Sequence, residues 1–315
     1  MEVKKYAIGI DLGGSSVKFG LVSMEGKIKK KFQLDALADQ GPDAVVEQIK
    51  KGIQKILDLK YEIAGIGIGA PGSVSAENGI VENPPNMKGW ERVELGKIIK
   101  NAFKMKVVVD NDANAAAIGE LIFGAGKKLD SFVMVTIGTG VGGGIIINRK
   151  VYRGETGAAG EIGHLSINEK GPKCKCGSKG CIETYVGRKY IADKVKRDLP
   201  RRKDSKLHDL ISGGEEITPK LIYDAHLLED EFAKSVIIEA GWKLGTALAS
   251  ISNTLDISKF VIGGGIAGFG KVFFDAIEEE MKRKVVKPKR ARVKVLPAKL
   301  KNDAGIKGAS ALVFV

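Results

Sequence analysis

A strand, a glycine turn and a second strand occur at two distant places in this sequence. Tyr6–Ile10 alternates apolar and small residues, runs into Asp11-Leu-Gly-Gly-Ser15, and resumes as Val17–Val22. Phe132–Ile137 leads into Gly138-Thr139-Gly140, and Val141–Ile147 follows. Alternation with β-branched residues predicts the strands, and the glycines predict the sharp turns between them. Together they form a weak internal repeat. A third strand, Lys259–Ile262, ends in Gly263-Gly264-Gly265. Glycine lets backbone N–H groups approach a phosphate with no Cβ in the way. Three such turns point to nucleotide binding. Asp11, at the end of the first strand, is placed to hold hydrated Mg²⁺ beside those phosphates. Neither G-x-x-x-x-G-K-[ST] nor a strict G-x-G-x-x-G opening a helix is present, so the Walker and Rossmann readings fail.

The intervening segments set the class. Pro42–Leu59 has helical spacing, with Val45, Val46, Ile49, Ile53, Ile56 and Leu57 on one face. Strand Ile63–Ala70 follows, then Pro84-Pro85-Asn86 in a loop, a helix near Val93–Phe103, the short strand Val107–Val109 and an Ala-rich helix over Asn111–Gly124. A long helix is expected over Asp230–Leu255, and an apolar helix after Asp303. Strands alternating with helices define an α/β protein. At 315 residues, about 150 residues per domain gives two domains. The expected boundary lies near 118–130. Residues 1–118, joined by a final helix at about 303–315, form the first domain, and residues 119–302 the second. The charged stretch Lys196–Lys206 is expected to be an exposed connection.

Charge and cysteine usage narrow the partners. The net charge is +13, and residues 281–307 carry eleven Lys/Arg against the single Asp303. A basic run is first a solvated helix end and strand, here beside Glu278-Glu279-Glu280, and only then a nucleic-acid or membrane surface. No apolar run approaches the ~18 residues of a membrane span, and Asp11 interrupts the apolar N-terminal stretch that a signal peptide would need. The only cysteines, Cys174, Cys176 and Cys181, are odd in number and clustered. That argues against a disulfide framework and for a reducing, cytoplasmic compartment.

With His164, the three cysteines have the residue types and spacing of a tetrahedral zinc shell, within a loop over 161–183. Four protein ligands leave no open position, so the metal is expected to be structural. A zinc ribbon for nucleic acid is the rival, but only half a knuckle is present. Asp110-Asn111-Asp112-Ala113-Asn114 follows a strand and opens a helix. One such residue suffices for an N-cap, so the surplus offers a general base for a hydroxyl. Glu161, beside the metal loop, offers two acceptor oxygens to vicinal sugar hydroxyls. Glu155 reads as a solvated loop charge, and His208 and His226 receive no role.

These residues resemble the ROK sugar kinases of the actin/hexokinase-like superfamily, over nearly the whole chain. Asp11-Leu-Gly-Gly-Ser15 is similar to that family's first phosphate loop and Gly138-Thr-Gly-Val-Gly-Gly-Gly144 to its second. Val261-Ile-Gly-Gly-Gly265 is similar to its adenosine turn. Asn111-Asp112-Ala-Asn114 carries its catalytic Asp at Asp112, and Ala159-Gly-Glu-Ile-Gly-His164 with Cys174–Glu183 its sugar and zinc signature. The resemblance implies a two-domain fold whose cleft closes on the sugar. Asn86 (with Asn83 as competitor), Asn111, Asp112, Glu161, His164 and Glu183 would contact the sugar hydroxyls, and Gly72 would line the pocket through its backbone. The nucleotide set would be Asp11, Gly13, Gly14, Ser15, Lys18, Gly138, Thr139, Gly140, Gly264 and Gly265. His164 would serve both zinc and sugar through its two ring nitrogens. The loop Asn83–Trp90 with Glu161, His164 and Glu183 looks most like the glucokinases. The implied reaction is ATP- and Mg²⁺-dependent phosphorylation of glucose. The alternatives are N-acetylmannosamine, N-acetylglucosamine, fructose or allose as acceptor, or a sugar sensor without catalysis. A homo-oligomer, dimer or tetramer, is the family expectation. Nucleic acid is not expected as a partner, because only five residues precede Tyr6, too few for the helix-turn-helix of the family's repressors.

Overall fold

The computed structural model describes residues 6–315. They fall into two compact units, one of residues 6–130, 144–160 and 299–315, the other of 131–143 and 161–298.

In the first unit, β1 (Tyr6–Leu12), β2 (Ser16–Ser23) and β3 (Ile28–Asp35) form an antiparallel meander. Helix α1 (Pro42–Leu57) then returns the chain so that β4 (Ile63–Ala70) lies parallel to β1. Strands β5 (Ser73–Ser75), β6 (Ile80–Glu82) and β7 (Arg92–Val93) make a small separate antiparallel sheet. Helix α2 (Leu95–Phe103) leads to β8 (Val107–Asn111), parallel to β4, and α3 (Asp112–Phe123) follows directly. The main sheet has the order β3-β2-β1-β4-β8.

The second sheet repeats that plan. Strands β9 (Phe132–Ile137), β10 (Val141–Ile147), β11 (Lys150–Tyr152), β12 (Lys259–Gly263) and β13 (Lys294–Pro297) take the order β11-β10-β9-β12-β13. The register repeats too. Asp11 of β1 pairs with Gly69 of β4, and Thr136 of β9 with Gly263 of β12. The weak repeat in sequence is therefore a repeat of topology. Asp11 and Thr136 hold equivalent places.

The helices of the second unit are α4 (Glu183–Val186), α5 (Arg188–Asp198), α6 (Leu207–Leu210), α7 (Pro219–Leu227), α8 (Glu231–Leu255) and α9 (Gly270–Lys284). The expected exposed connection at Lys196–Lys206 starts as the last turn of α5 and a 3₁₀ turn at Leu199–Arg201, and residues 202–206 link these to α6; the stretch is exposed except at half-buried Asp198 and at Leu199 and Ser205, which are buried. Two buried side chains anchor this charged surface stretch. The basic segment after Glu280 is the end of α9, a 3₁₀ helix at Lys287–Arg292 and edge strand β13.

The last helix, α10 (Ala304–Ala311), packs on β1, β4 and α3 of the first unit. The contact is backbone to backbone. A Cβ on Gly67 would lie 1.8 Å from the Ala309 carbonyl oxygen, and one on Gly9 2.0 Å from that of Ile306. Only glycine permits this approach, and it brings the start of α10 against Asp11. The core of this unit joins α1 to the sheet through fully buried Phe19, Ile8, Ile10, Ile49 and Ile53. Among the described residues no helix is long and apolar enough to cross a membrane.

Candidate active site and metal centre

In the first unit the candidate residues gather at strand ends. Parallel β1, β4 and β8 end at the same level, so Asp11, Gly72 and Asn111–Asp112 follow from topology. Asn111 caps α3: its side-chain oxygen accepts from the N–H groups of Ala113 at 2.9 Å and Asn114 at 3.3 Å. Its Nδ2 donates to the Gly72 carbonyl at 3.1 Å. One amide hydrogen remains for a ligand. Gly72 has φ +86°, and a Cβ there would lie 2.7 Å from the Glu82 carbonyl oxygen, so the turn requires glycine.

The two aspartates of this turn differ sharply. Asp110 is 1% exposed and receives Arg153 through Nη2 at 2.6 Å and Nε at 3.1 Å. Its other oxygen accepts from the Asn111 N–H at 2.8 Å and from Asn114 Nδ2 at 3.1 Å. Asp110 is thus committed to holding the turn. Asp112 is exposed in the first turn of α3, with its Oδ1 accepting the Ala113 N–H at 2.7 Å. Sequence reasoning quoted Asp110 without assigning it a role and missed Arg153. A lone arginine in a basic chain gives no local signal, and the pair spans 43 residues.

The first glycine turn is closed by the Gly13 N–H donating to the Ser16 carbonyl at 3.0 Å. Ser15 at its tip is exposed. Asp11 faces Lys18 across the hairpin, Oδ2 to Nζ 3.4 Å, and a Cβ on Gly305 of α10 would lie 2.4 Å from the same oxygen. Asn86, at φ +64°, lies against this turn: a Cβ on Gly14 would be 3.6 Å from its own. Asn83, at φ +45°, donates its backbone N–H to the carbonyls of Trp90 and Glu91 and closes the loop.

In the second unit, the Gly138 N–H donates to the Gly140 carbonyl at 2.9 Å. Around a Cβ on Gly138 there is nothing within 4 Å, so the turn opens there. Gly264 packs directly beneath, its Cβ position 2.3 Å from the Ile137 carbonyl oxygen, and Gly265 is open. The second and third glycine turns are therefore neighbours, as one nucleotide would need.

His164, Cys174, Cys176 and Cys181 come together with all ligand atoms within 4.8 Å. Cys176 Sγ and Cys181 Sγ are 3.7 Å apart, as are Cys174 Sγ and His164 Nδ1. Zn–S bonds of ~2.3 Å in a tetrahedron require sulfur–sulfur edges of about 3.8 Å. The residues fit zinc in type, number and spacing. Gly177 at φ +94° and Gly180 at φ +69° turn the loop around the centre. A backbone hydrogen bond from Ser178, with help from Cys174, holds the Cys176 thiol below its ordinary value. Burial, reinforced by Cys176 and Cys174, pushes Cys181 up to about 12. A bound cation reverses that penalty. The other ring nitrogen of His164, Nε2, faces Glu161 Oε2 at 3.9 Å. The imidazole thus presents one nitrogen to the sulfurs and the other away from them. Glu183, two residues past Cys181, accepts the Val141 N–H on Oε2 at 3.0 Å.

A model of the ROK family matches residues 7–314. The glucokinase of Thermotoga maritima is 34% identical over 306 residues, covering 97% of this chain and 96% of its own. The xylose repressor of Caldicellulosiruptor bescii is 31% identical over 313 residues, covering 98% of this chain and 77% of its own. Among solved structures, the ROK family glucokinase of Streptomyces griseus, in complex with glucose and AMPPNP, matches with a TM-score of 0.84 at 33% identity over 98% of each chain. The fold and the relatives define the class, the actin/hexokinase-like fold that ROK glucokinases and a ROK-type xylose repressor share. Within that class, the chain belongs to the ROK family.

Proposed function

We propose that the protein transfers the γ-phosphoryl group of ATP to the 6-hydroxyl of a hexose, with glucose the preferred acceptor. The observation that carries this reading is the contrast between Asp110, consumed by Arg153 and Asn114, and Asp112, exposed at the start of α3. Asp112 accepts the hydroxyl proton as the sugar oxygen attacks phosphorus. The new P–O bond forms as the bond to the β-phosphate bridging oxygen breaks, and ADP leaves. Asn86, Asn111, Glu161, His164 and Glu183 hold the hydroxyls, and the Gly72 backbone lines the pocket. Glucose is supported by the two glucokinase relatives.

The N–H groups of Gly14, Ser15, Thr139 and Gly140 face the phosphates, in turns closed by the N–H groups of Gly13 and Gly138, and Gly264 and Gly265 face the adenosine. Asp11 would hold Mg²⁺, which when bound would offset phosphate charge, and the Lys18 ammonium would meet phosphate oxygens directly. Zinc on His164, Cys174, Cys176 and Cys181 supplies loop rigidity when bound.

A sugar sensor is the second reading, favoured by the xylose repressor relative. A coupled assay of ADP release with Mg-ATP decides between them. The panel is glucose, mannose, fructose, allose, N-acetylglucosamine and N-acetylmannosamine. Highest kcat/KM for glucose is expected. Preference for another sugar moves the substrate, and no turnover with any of them, while glucose still binds by calorimetry, establishes the sensor.

A further inference from the structure

We infer that the metal-binding knuckle clamps the Gly138–Val141 turn, so that its metal sets nucleotide affinity. The inference rests on the reading that this turn meets the phosphates of ATP.

The Val141 peptide is held at both ends by segments that flank metal ligands. Its N–H donates to Glu183 Oε2 at 3.0 Å, two residues beyond the ligand Cys181. Its carbonyl oxygen is covered by Gly163, which directly precedes the ligand His164. A Cβ on Gly163 would lie 2.3 Å from that oxygen. Beyond Glu183 the chain continues along the turn. The Arg188 N–H donates to the Gly138 carbonyl at 2.9 Å. A Cβ on Gly187 would lie 3.1 Å from the Thr139 carbonyl oxygen and 2.9 Å from that of Glu183. One on Gly140 would lie 2.6 Å from Glu183 Oε2. Each of the four turn residues therefore touches the segment 163–188.

The cluster ties His164 to Cys181 and so fixes Gly163 and Glu183 relative to each other. Without metal, the Ile182 N–H to Leu165 carbonyl bond at 2.8 Å and the bridge between Ser166 and Cys181 still join the two segments. The clamp loosens rather than vanishes. Losing 1–2 kcal/mol of preorganisation corresponds to about 5–30-fold in affinity. Linkage requires the reciprocal effect: bound nucleotide tightens zinc by the same factor.

The test measures AMPPNP affinity by calorimetry, without sugar, in zinc-loaded, zinc-stripped and reloaded protein. Two variants accompany it. Gly187→Ala crowds the turn but leaves all four ligands in place. Gly138→Ala puts a methyl group into the open space above the turn. Stripping is expected to raise the Kd about 5–30-fold, with recovery on reloading. Gly187→Ala is expected to raise it about 2–10-fold at unchanged zinc content. Saturating AMPPNP should tighten zinc against a competing chelator by the factor that stripping reveals. If the stripped protein unfolds, Gly187→Ala and the chelator competition decide. Unchanged Kd in Gly187→Ala and no nucleotide effect on zinc, while Gly138→Ala weakens AMPPNP, would overturn the clamp and leave the turn assignment standing. Unchanged AMPPNP affinity in Gly138→Ala would overturn the turn assignment itself, and the clamp with it.

Discussion

The two strand–turn–strand copies share topology and register but obtain their negative charge differently. In the first unit the acids stand on the strands themselves: Asp11 on β1, Asp110 at the end of β8. Each faces a cation, Lys18 at 3.4 Å and Arg153 at 2.6 Å. In the second unit β9, β12 and β13 carry no acid at all, and Thr136 stands where Asp11 stands in the first. Its turn instead receives Glu183 from another segment, beside a cysteine cluster. One scaffold thus offers two solutions. A carboxylate on a strand is positioned by the sheet and neutralised by a neighbour. A carboxylate from a loop needs the loop fixed first, and a four-ligand metal centre can do that in a segment with little secondary structure.

Asp11→Asn should lower kcat with Mg-ATP by about 10²–10³-fold, the usual effect of removing one electrostatic group at a phosphoryl-transfer site. Thr136→Val, at the matching position, should change it less than about twofold, because no charge is lost. Equal losses at both positions in steady-state assays would erase the distinction. Arg153→Met leaves Asp110 buried without its counter-charge. Chemical denaturation should show a loss of about 2–3 kcal/mol, below the full cost of breaking a buried pair because Arg153 is itself part-exposed. Unchanged stability would mean that the strand-end acid needs no cation. Gly305→Ala drives a Cβ into the Asp11 carboxylate and should cost about 1–3 kcal/mol through overpacking. A raised Mg²⁺ requirement should accompany it. Gly138→Ala meets open space, so its stability should stay within ~0.5 kcal/mol of the parent protein. A large fall in Tm there would show that the second turn is packed rather than open.

Much of the scaffold was legible because its signals are local. Strands Ile63–Ala70, Phe132–Ile137 and Val141–Ile147 read directly from apolar runs bounded by glycine or proline, and α1 from its apolar stripe. The cysteine cluster was legible from residue type and spacing, since few other patterns bring three thiols within eight residues of chain. Helix α5 was missed because only Ile191 and Val195 are buried on it, too few to show a period. In α9, Phe273, Ala276, Ile277, Glu280 and Met281 carry the helical period, and its basic last turn reads from the sequence as a helix end. Strands β5, β6 and β7 have two or three residues each, too short for alternation. The Asp110–Arg153 pair and the hold of Glu183 on Val141 lie 43 and 42 residues apart in sequence. Such contacts are set by topology, and no local pattern announces them.

On the proposed function, Asp112 is the base while Asp110 only holds the turn. The direct test is Asp112→Asn, with kcat from the coupled assay and glucose affinity from calorimetry on the same preparation. The expected result is a loss in kcat of about 10²–10⁴-fold, the range for removal of a general base, with glucose affinity changed by less than about threefold, under 1 kcal/mol. Wild-type kcat in that variant would contradict it.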